Sequence, residues 1–99
     1  YTASVVTSFS VPISFQLEQN YPNPFNARTK INFALPEDSD VKLSLYDMKG
    51  NLVKAIAEQP YSAGFHSVEC NLSNLASGVY VYKLESPQYI AAKKLLLVK

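Results

Sequence analysis

The sequence of 99 residues has no tryptophan and only one residue each of cysteine, histidine and methionine. Because Cys70 is the only cysteine, a disulfide within the chain and a site built from paired cysteines are both excluded. Long apolar runs are also missing, since no stretch approaches the roughly 18 apolar residues of a membrane-spanning helix. Nine Lys and Arg stand against eight Asp and Glu, so the strongly basic surface typical of nucleic-acid binding is absent as well.

Residues suited to catalysis or metal binding are few. His66 lies in an alternating run without a serine or cysteine nucleophile motif, and we interpret it as a structural histidine. Cys70 occupies an inward position and is interpreted as a small buried hydrophobic residue. Glu37, Asp38 and Asp40 offer carboxylates to Ca²⁺ without the full Asp-x-Asp-x-Asp-Gly spacing, which favours a solvated turn. We therefore predict no catalytic residue, no metal site and no cofactor, and we do not expect an enzyme.

What the chain does contain is apolar residues in an alternating pattern. Hydrophobic residues make up 47% of a chain of 11.0 kDa, enough for the core of one domain. Short runs that alternate apolar and polar residues are separated by turn signals, as in β-strands. Strands are predicted over residues 14–19, 29–35, 41–46, 51–57, 65–72, 79–85 and 89–98. Seven antiparallel strands joined by short turns predict an all-β, immunoglobulin-like β-sandwich.

The connections and the ends of the chain complete this outline. Residues 47–50, "DMKG", predict a tight turn that ends in Gly50, and residues 58–64 predict a longer loop. Residues 79–85 are apolar on both faces, which is typical of a central strand. Residues 1–13 are predicted to be a linker or an edge segment, and residues 14–99 the domain itself. Since no methionine precedes Tyr1, we expect a processed product or a part of a longer protein.

The segment "YPNPFN" combines two prolines, two aromatic rings and two asparagines. Proline fixes φ and keeps the preceding residue extended, and asparagine side chains satisfy turn amides, so a rigid structural corner is predicted. We expect it to carry the first strand from one sheet to the other, with Phe25 filling the end of the core. The corner consists of Tyr21, Pro22, Asn23, Pro24, Phe25 and Asn26.

The last residues, "KKLLLVK", combine an apolar run with three lysines. One interpretation is a closing strand whose lysines protect a sheet edge from unwanted pairing. The other is a strand whose basic ends are recognised by another protein. Strand alternation turns one of Lys93 and Lys94 toward the opposite sheet and leaves open which one.

The seven tyrosines raise a separate possibility. A flat sugar-binding platform is one use of exposed aromatic rings, although tyrosine is also an ordinary β-strand residue. The candidates for such a platform are Tyr46, Tyr61, Tyr80, Tyr82 and Tyr89. A carbohydrate-binding module or a structural spacer of a secreted hydrolase is thus the alternative function.

Several motifs in order, "LEQNYPNPFN", "TKINFALP", "VKLSLYDMKGNLV", "SAGFHSVEC", "LASGVYVYKLES" and "AAKKLLLVK", together resemble one family. The chain is similar to the type A C-terminal sorting domains of the type IX secretion system, from about residue 15 to residue 99. It also resembles the immunoglobulin-like domain of the flagellar hook-capping protein.

The resemblance implies a non-catalytic secretion signal at the end of a larger exported protein in a bacterium of the Bacteroidetes type. It implies an N-terminal cargo domain in the same chain, an outer-membrane type IX translocon that reads the signal, and a sortase-like peptidase that removes it. The cargo would pass through the periplasm and reach the cell surface or be secreted. We predict that the export machinery recognises the terminal hairpin through Gly78, Tyr80, Lys93, Lys94, Leu95, Leu96, Leu97, Val98 and Lys99.

Overall fold

The structure is a computed structural model that describes residues 12–24 and 26–99. Its strands are β1 (Gln16–Leu17), β2 (Arg28–Leu35), β3 (Ser39–Tyr46), β4 (Leu52–Tyr61), β5 (Gly64–Asn71), β6 (Gly78–Ser86) and β7 (Tyr89–Leu97). They form a sheet of three strands in the order β1-β2-β5 and a sheet of four in the order β4-β3-β6-β7, with every pair antiparallel. The predicted all-β sandwich of seven antiparallel strands in two sheets is therefore confirmed.

The core lies between the two sheets and follows the alternation of the sequence. In β2 and β3 every second residue is inward and buried, because successive side chains of a strand point to opposite faces. In β6 and β7 the same rule buries Tyr80, Tyr82, Leu84, Leu95 and Leu97 of the terminal hairpin. The largest buried side chains are Tyr82, Phe33, Ile31, Leu35, Leu43, Leu45, Leu72, Leu84, Leu95 and Leu97.

The predicted turn at residues 47–50 is confirmed. Gly50 has a φ of 90°, a left-handed conformation that glycine adopts without steric cost. The Asp47 carboxylate accepts the backbone N–H groups of Lys49 and Asn51, each at 2.9 Å. The bond from the Asn51 N–H is the main reason that the pKa of Asp47 is lowered.

One prediction about local structure is wrong. Residues 58–64 are not a loop, because β4 continues to Tyr61 and β5 begins at Gly64. The polar residues and Pro60 are accommodated because β4 is an edge strand. The strand over residues 79–85 is central, as expected, but only one of its faces is buried, and Val79 on the other face is 41% exposed. A sheet packed on one side leaves its outer face in solvent.

The role predicted for "YPNPFN" is also corrected. The segment does not carry the chain between sheets, since β1 and β2 pair within the same three-stranded sheet. Tyr21 instead forms a bridge with Lys30 of β2, through two backbone hydrogen bonds of 2.9 Å. The prediction that Phe25 fills the end of the core lies outside the described residues, as do residues 1–11 of the predicted segment 1–13.

Candidate functional site

The terminal hairpin of β6 and β7 contains the residues predicted to be recognised. β7 is an edge strand whose one ladder partner is β6, and Lys93 lies opposite Tyr82 while Lys94 lies opposite Val81. Paired residues of antiparallel strands share a face, and Tyr82 is in the core. Lys93 is therefore the lysine on the inner face, where it is half-buried, and Lys94 is on the outer face.

The predicted site residues separate into two groups. Leu95 and Leu97 are fully buried and belong to the core, as does the ring of Tyr80. Lys94, Leu96 and Val98 are exposed on the outside, with Leu96 37% exposed. Gly78 is half-buried opposite Leu97 and Lys99 is exposed. The predicted residues most accessible to a partner of the folded domain are therefore Lys94, Leu96, Val98 and Lys99.

Lys99 is held against the turn that precedes β6. Its backbone N–H donates to the Ser77 hydroxyl at 3.0 Å, and its Nζ donates to the Ser73 carbonyl at 2.5 Å. The Tyr80 hydroxyl donates to the Ala76 carbonyl of the same turn at 2.6 Å. A tyrosine of the hairpin thus bonds to the neighbouring turn.

A second tyrosine of β6 connects the two sheets. The Tyr82 hydroxyl donates to the Glu18 carbonyl at 2.6 Å and accepts the backbone N–H of Asn20 at 2.9 Å. Tyr82 is fully buried, and burial raises the pKa of its phenol to about 12. The side chain of Asn20 is also buried and donates to Thr29 Oγ1 and to the Pro22 carbonyl, both at 3.0 Å. These bonds fix the chain just before the prolines.

Residues 15–23, which we call the edge arm, lie along the outer edge of β7. Phe15 stacks on Tyr89 with ring centroids 5.1 Å apart, at the beginning of the strand. Further along, Gln19 Nε2 donates to the Lys94 carbonyl at 2.7 Å, and the Asn23 side-chain oxygen accepts the Leu96 N–H at 2.9 Å. The arm and β7 thus run in the same direction. Side chains of the arm occupy backbone groups that an edge strand otherwise presents to solvent.

The alternating pattern of the sequence does not indicate that the edge arm contacts β7. Pro22 and Pro24 are exposed, as are Tyr21 and Asn26, and the segment acts through Asn23 and through Asn20 just ahead of it. The one signal in the sequence is Asn20, which directly precedes Tyr21 and Pro22. In the structure β1 is only two residues long, so the backbone after it forms hydrogen bonds with side chains. Nothing in the spacing indicates Tyr82 as its partner, which is 62 residues away.

A comparison with protein-family models identifies the family of the chain. Residues 19–99 match the model described as the secretion system C-terminal sorting domain. The chain belongs to this family. The sorting domain is a type IX secretion signal, which implies contact with the type IX machinery, a cargo, and export to the cell surface or secretion. A comparison with curated proteins found no match.

The other residues of the sorting domain that were considered for catalysis or metal binding are buried or make structural contacts. Cys70 is buried, and burial raises the pKa of its thiol to about 11, which disfavours the reactive thiolate. His66 Nε2 lies 2.7 Å from the Ser62 carbonyl, and its ring packs against Phe33 and Tyr61. The Asp38 carboxylate accepts the Ala63 N–H at 2.8 Å. Within residues 12–24 and 26–99, no cluster of three His, Cys, Asp or Glu side chains could hold a metal ion.

The tyrosines of the sorting domain do not form the flat platform that sugar binding would use. Tyr80 and Tyr82 are buried, and their hydroxyls bond to backbone groups. Tyr61 packs edge-on against Phe33, and Tyr89 stacks on Phe15. Tyr46 lies on the outer face beneath the Lys83 ammonium, 5.3 Å from the ring centroid. In the part of the chain that the structure describes, no helix has the length and hydropathy needed to cross a membrane.

Proposed function

We propose that this domain is a non-catalytic address that carries an N-terminal cargo, part of the same protein, across the outer membrane. The observation that supports it is the family match over residues 19–99, which makes the domain a type IX secretion signal. The cargo passes through the periplasm, and the folded domain is then recognised at the outer membrane.

Recognition is assigned to the terminal hairpin, with different roles for its residues. Lys94, Leu96 and Val98 are exposed on one face and are proposed to touch the export machinery. Leu95 and Leu97 hold β7 in the core and thereby set the position of those side chains. Gly78, Tyr80 and Lys99 lie at the open end of the hairpin, where Tyr80 and Lys99 bond to the turn that precedes β6, and Lys93 is turned to the inner face.

A sortase-like peptidase is proposed to remove the domain after export. The domain then comprises residues 14–99, and cleavage falls in residues 1–13, ahead of the first strand. This assignment follows from the family and from the buried position of Leu17 in β1, since a cut beyond β1 would remove a core side chain. Mass spectrometry of the released cargo tests it, because a terminus within or beyond β1 would contradict it.

The function is tested by export of a reporter in a bacterium with a working type IX system. A periplasm-targeted fluorescent protein is fused ahead of residues 1–99, and the same reporter without the domain is the control. Deleting residues 95–99 would be a poor comparison, because it removes Leu95 and Leu97 from the core. Substitution of exposed Lys94 by glutamate keeps the core intact. Surface reporter that depends on the domain supports the function, and periplasmic retention of both fusions refutes it.

A further inference from the structure

The outer face of the four-stranded sheet has an apolar surface at the end where β7 finishes. Tyr46 of β3 lies opposite Val81 of β6 and opposite Leu52 of β4, so the three share this face. Val79 lies opposite Leu96 of β7 in the neighbouring row. Leu52 is 58% exposed and Val79 is 41% exposed, although both lie in strands. We call these five residues, Tyr46, Leu52, Val79, Val81 and Leu96, the outer patch.

A contiguous apolar surface of this kind marks an interaction site more often than scattered exposed residues do. The outer patch crosses all four strands, and nothing in the described part of the chain packs over Leu52, Val79 or Leu96. The opposite end of the same face is polar, with Lys42 in register with both Glu58 and Glu85. Apart from Ile90, which lies opposite Glu85, the exposed apolar residues of this face are therefore gathered at one end of the sheet.

We propose that the outer patch is the surface by which this sorting domain docks onto an apolar, acidic surface of a protein of the export machinery. The inference rests on the proposed function and names the kind of partner. Lys94 stands opposite Val81 within the patch, and its charge calls for a carboxylate on the partner. Lys83 lies over Tyr46 but is already paired with Glu85 at 3.7 Å.

Charge also favours this partner over two other possible occupants of the face, an anionic lipid surface and a second copy of the chain. An anionic lipid surface is bound by clusters of about 4–8 basic residues, whereas Lys94 is the one unpaired lysine whose register places it in the patch. A second copy of the chain docked by the same face would bury Lys94 of each copy against a patch that has no carboxylate to pair with it, which is unfavourable.

Docking on the face is favoured over strand addition at the edge of β7. A residue of an antiparallel ladder directs its N–H and C=O to the same side. The backbone N–H and C=O groups of Lys94 and Leu96 therefore point away from β6. Two of these outward groups, the Lys94 carbonyl and the Leu96 N–H, already bond to Gln19 and Asn23 of the edge arm. The arm in turn is held by the buried Tyr82 hydroxyl. Strand addition would have to displace the edge arm from β7, whereas docking on the outer face leaves the arm in place.

The test compares Leu96→Glu with Ile90→Glu in the export assay. Both positions lie in β7 on the outer face, but Ile90 is outside the patch, opposite Glu85, and is 66% exposed. Export of the reporter is expected to fall about tenfold or more for Leu96→Glu, as for loss of a central interface residue, and to stay within about twofold for Ile90→Glu. Val79→Glu and Lys94→Glu are expected to behave like Leu96→Glu. Thermal unfolding of each purified variant verifies that the domain is folded.

Each outcome separates the inference from the proposed function. If the unmodified fusion is not exported, the proposed function fails. If it is exported and Leu96→Glu equals Ile90→Glu, only the docking surface is refuted. Asn23→Ala frees the Leu96 N–H without altering the patch, so unchanged export supports face docking and increased export supports edge pairing instead. Binding of the purified domain to anionic vesicles, or a dimer that Leu96→Glu dissolves, would overturn the choice of partner.

Discussion

Replacing Tyr82 by phenylalanine isolates the hydroxyl that connects the two sheets. The ring would keep its place in the core, but the Asn20 N–H would lose its acceptor and the Glu18 carbonyl its donor. Asn20 is only 2% exposed, so water does not readily replace the lost bond. A buried polar group left without a partner costs about 1–3 kcal/mol, and the Glu18 carbonyl, on an exposed residue, adds a smaller amount. The expected loss of unfolding free energy is about 2–4 kcal/mol.

The matched control is Tyr80→Phe. It removes one hydrogen bond, to the carbonyl of the exposed residue Ala76, and water can take over that role. The expected loss is about 0.5–1.5 kcal/mol. Each kcal/mol corresponds to about 4–8 °C in melting temperature for a domain of this size. Thermal and urea unfolding followed by circular dichroism measure the difference, and amide exchange reports the freed Asn20 N–H. If Tyr82→Phe is no more destabilising than Tyr80→Phe, the hydroxyl does not hold the edge arm.

Four further predictions rest on burial and backbone geometry. Leu97→Ala should cost about 2–5 kcal/mol because Leu97 is fully buried, whereas Leu96→Ala should cost well under half of that in the same urea titration. Cys70 should resist thiol reagents at neutral pH and react only after denaturation, and native labelling would contradict its burial. Burial raises the pKa of the Cys70 thiol from 9.0 to about 11 and that of Tyr82 from 10.0 to about 12, so their contributions to stability should be intact below about pH 9 and lost as the pH rises to 12. Gly50→Ala should cost about 1 kcal/mol because the φ of 90° suits glycine alone, and an unchanged melting temperature would refute that.

Local alternation predicts most of the strands of this fold. Residues 29–35, 41–46 and 89–98 were predicted as strands from alternating apolar residues, and β2, β3 and β7 lie there. The failures come from the sheet edges. β4 extends through Pro60 because an edge strand does not need every backbone donor, and a single-sequence pattern does not say which strands are edges.

The candidate site was less predictable for a different reason. The sequence indicates that apolar and polar residues alternate in β7. It does not indicate which of Lys93 and Lys94 faces the core, because that depends on the register with β6. The edge arm depends on contacts such as Gln19 with Lys94, which are 75 residues apart. Long-range side-chain to backbone bonds of this kind leave no periodic trace in a single sequence.

The family match makes this domain an address for type IX secretion. The most direct measurement compares one fusion, a periplasm-targeted fluorescent reporter ahead of residues 1–99, in two otherwise identical strains with and without the outer-membrane translocon. Added protease that digests surface protein reports the location of the reporter. The account predicts protease-sensitive reporter at the surface, or reporter in the medium, only in the strain with the translocon. Reporter that stays protected in both strains, or reaches the surface in both, would contradict it.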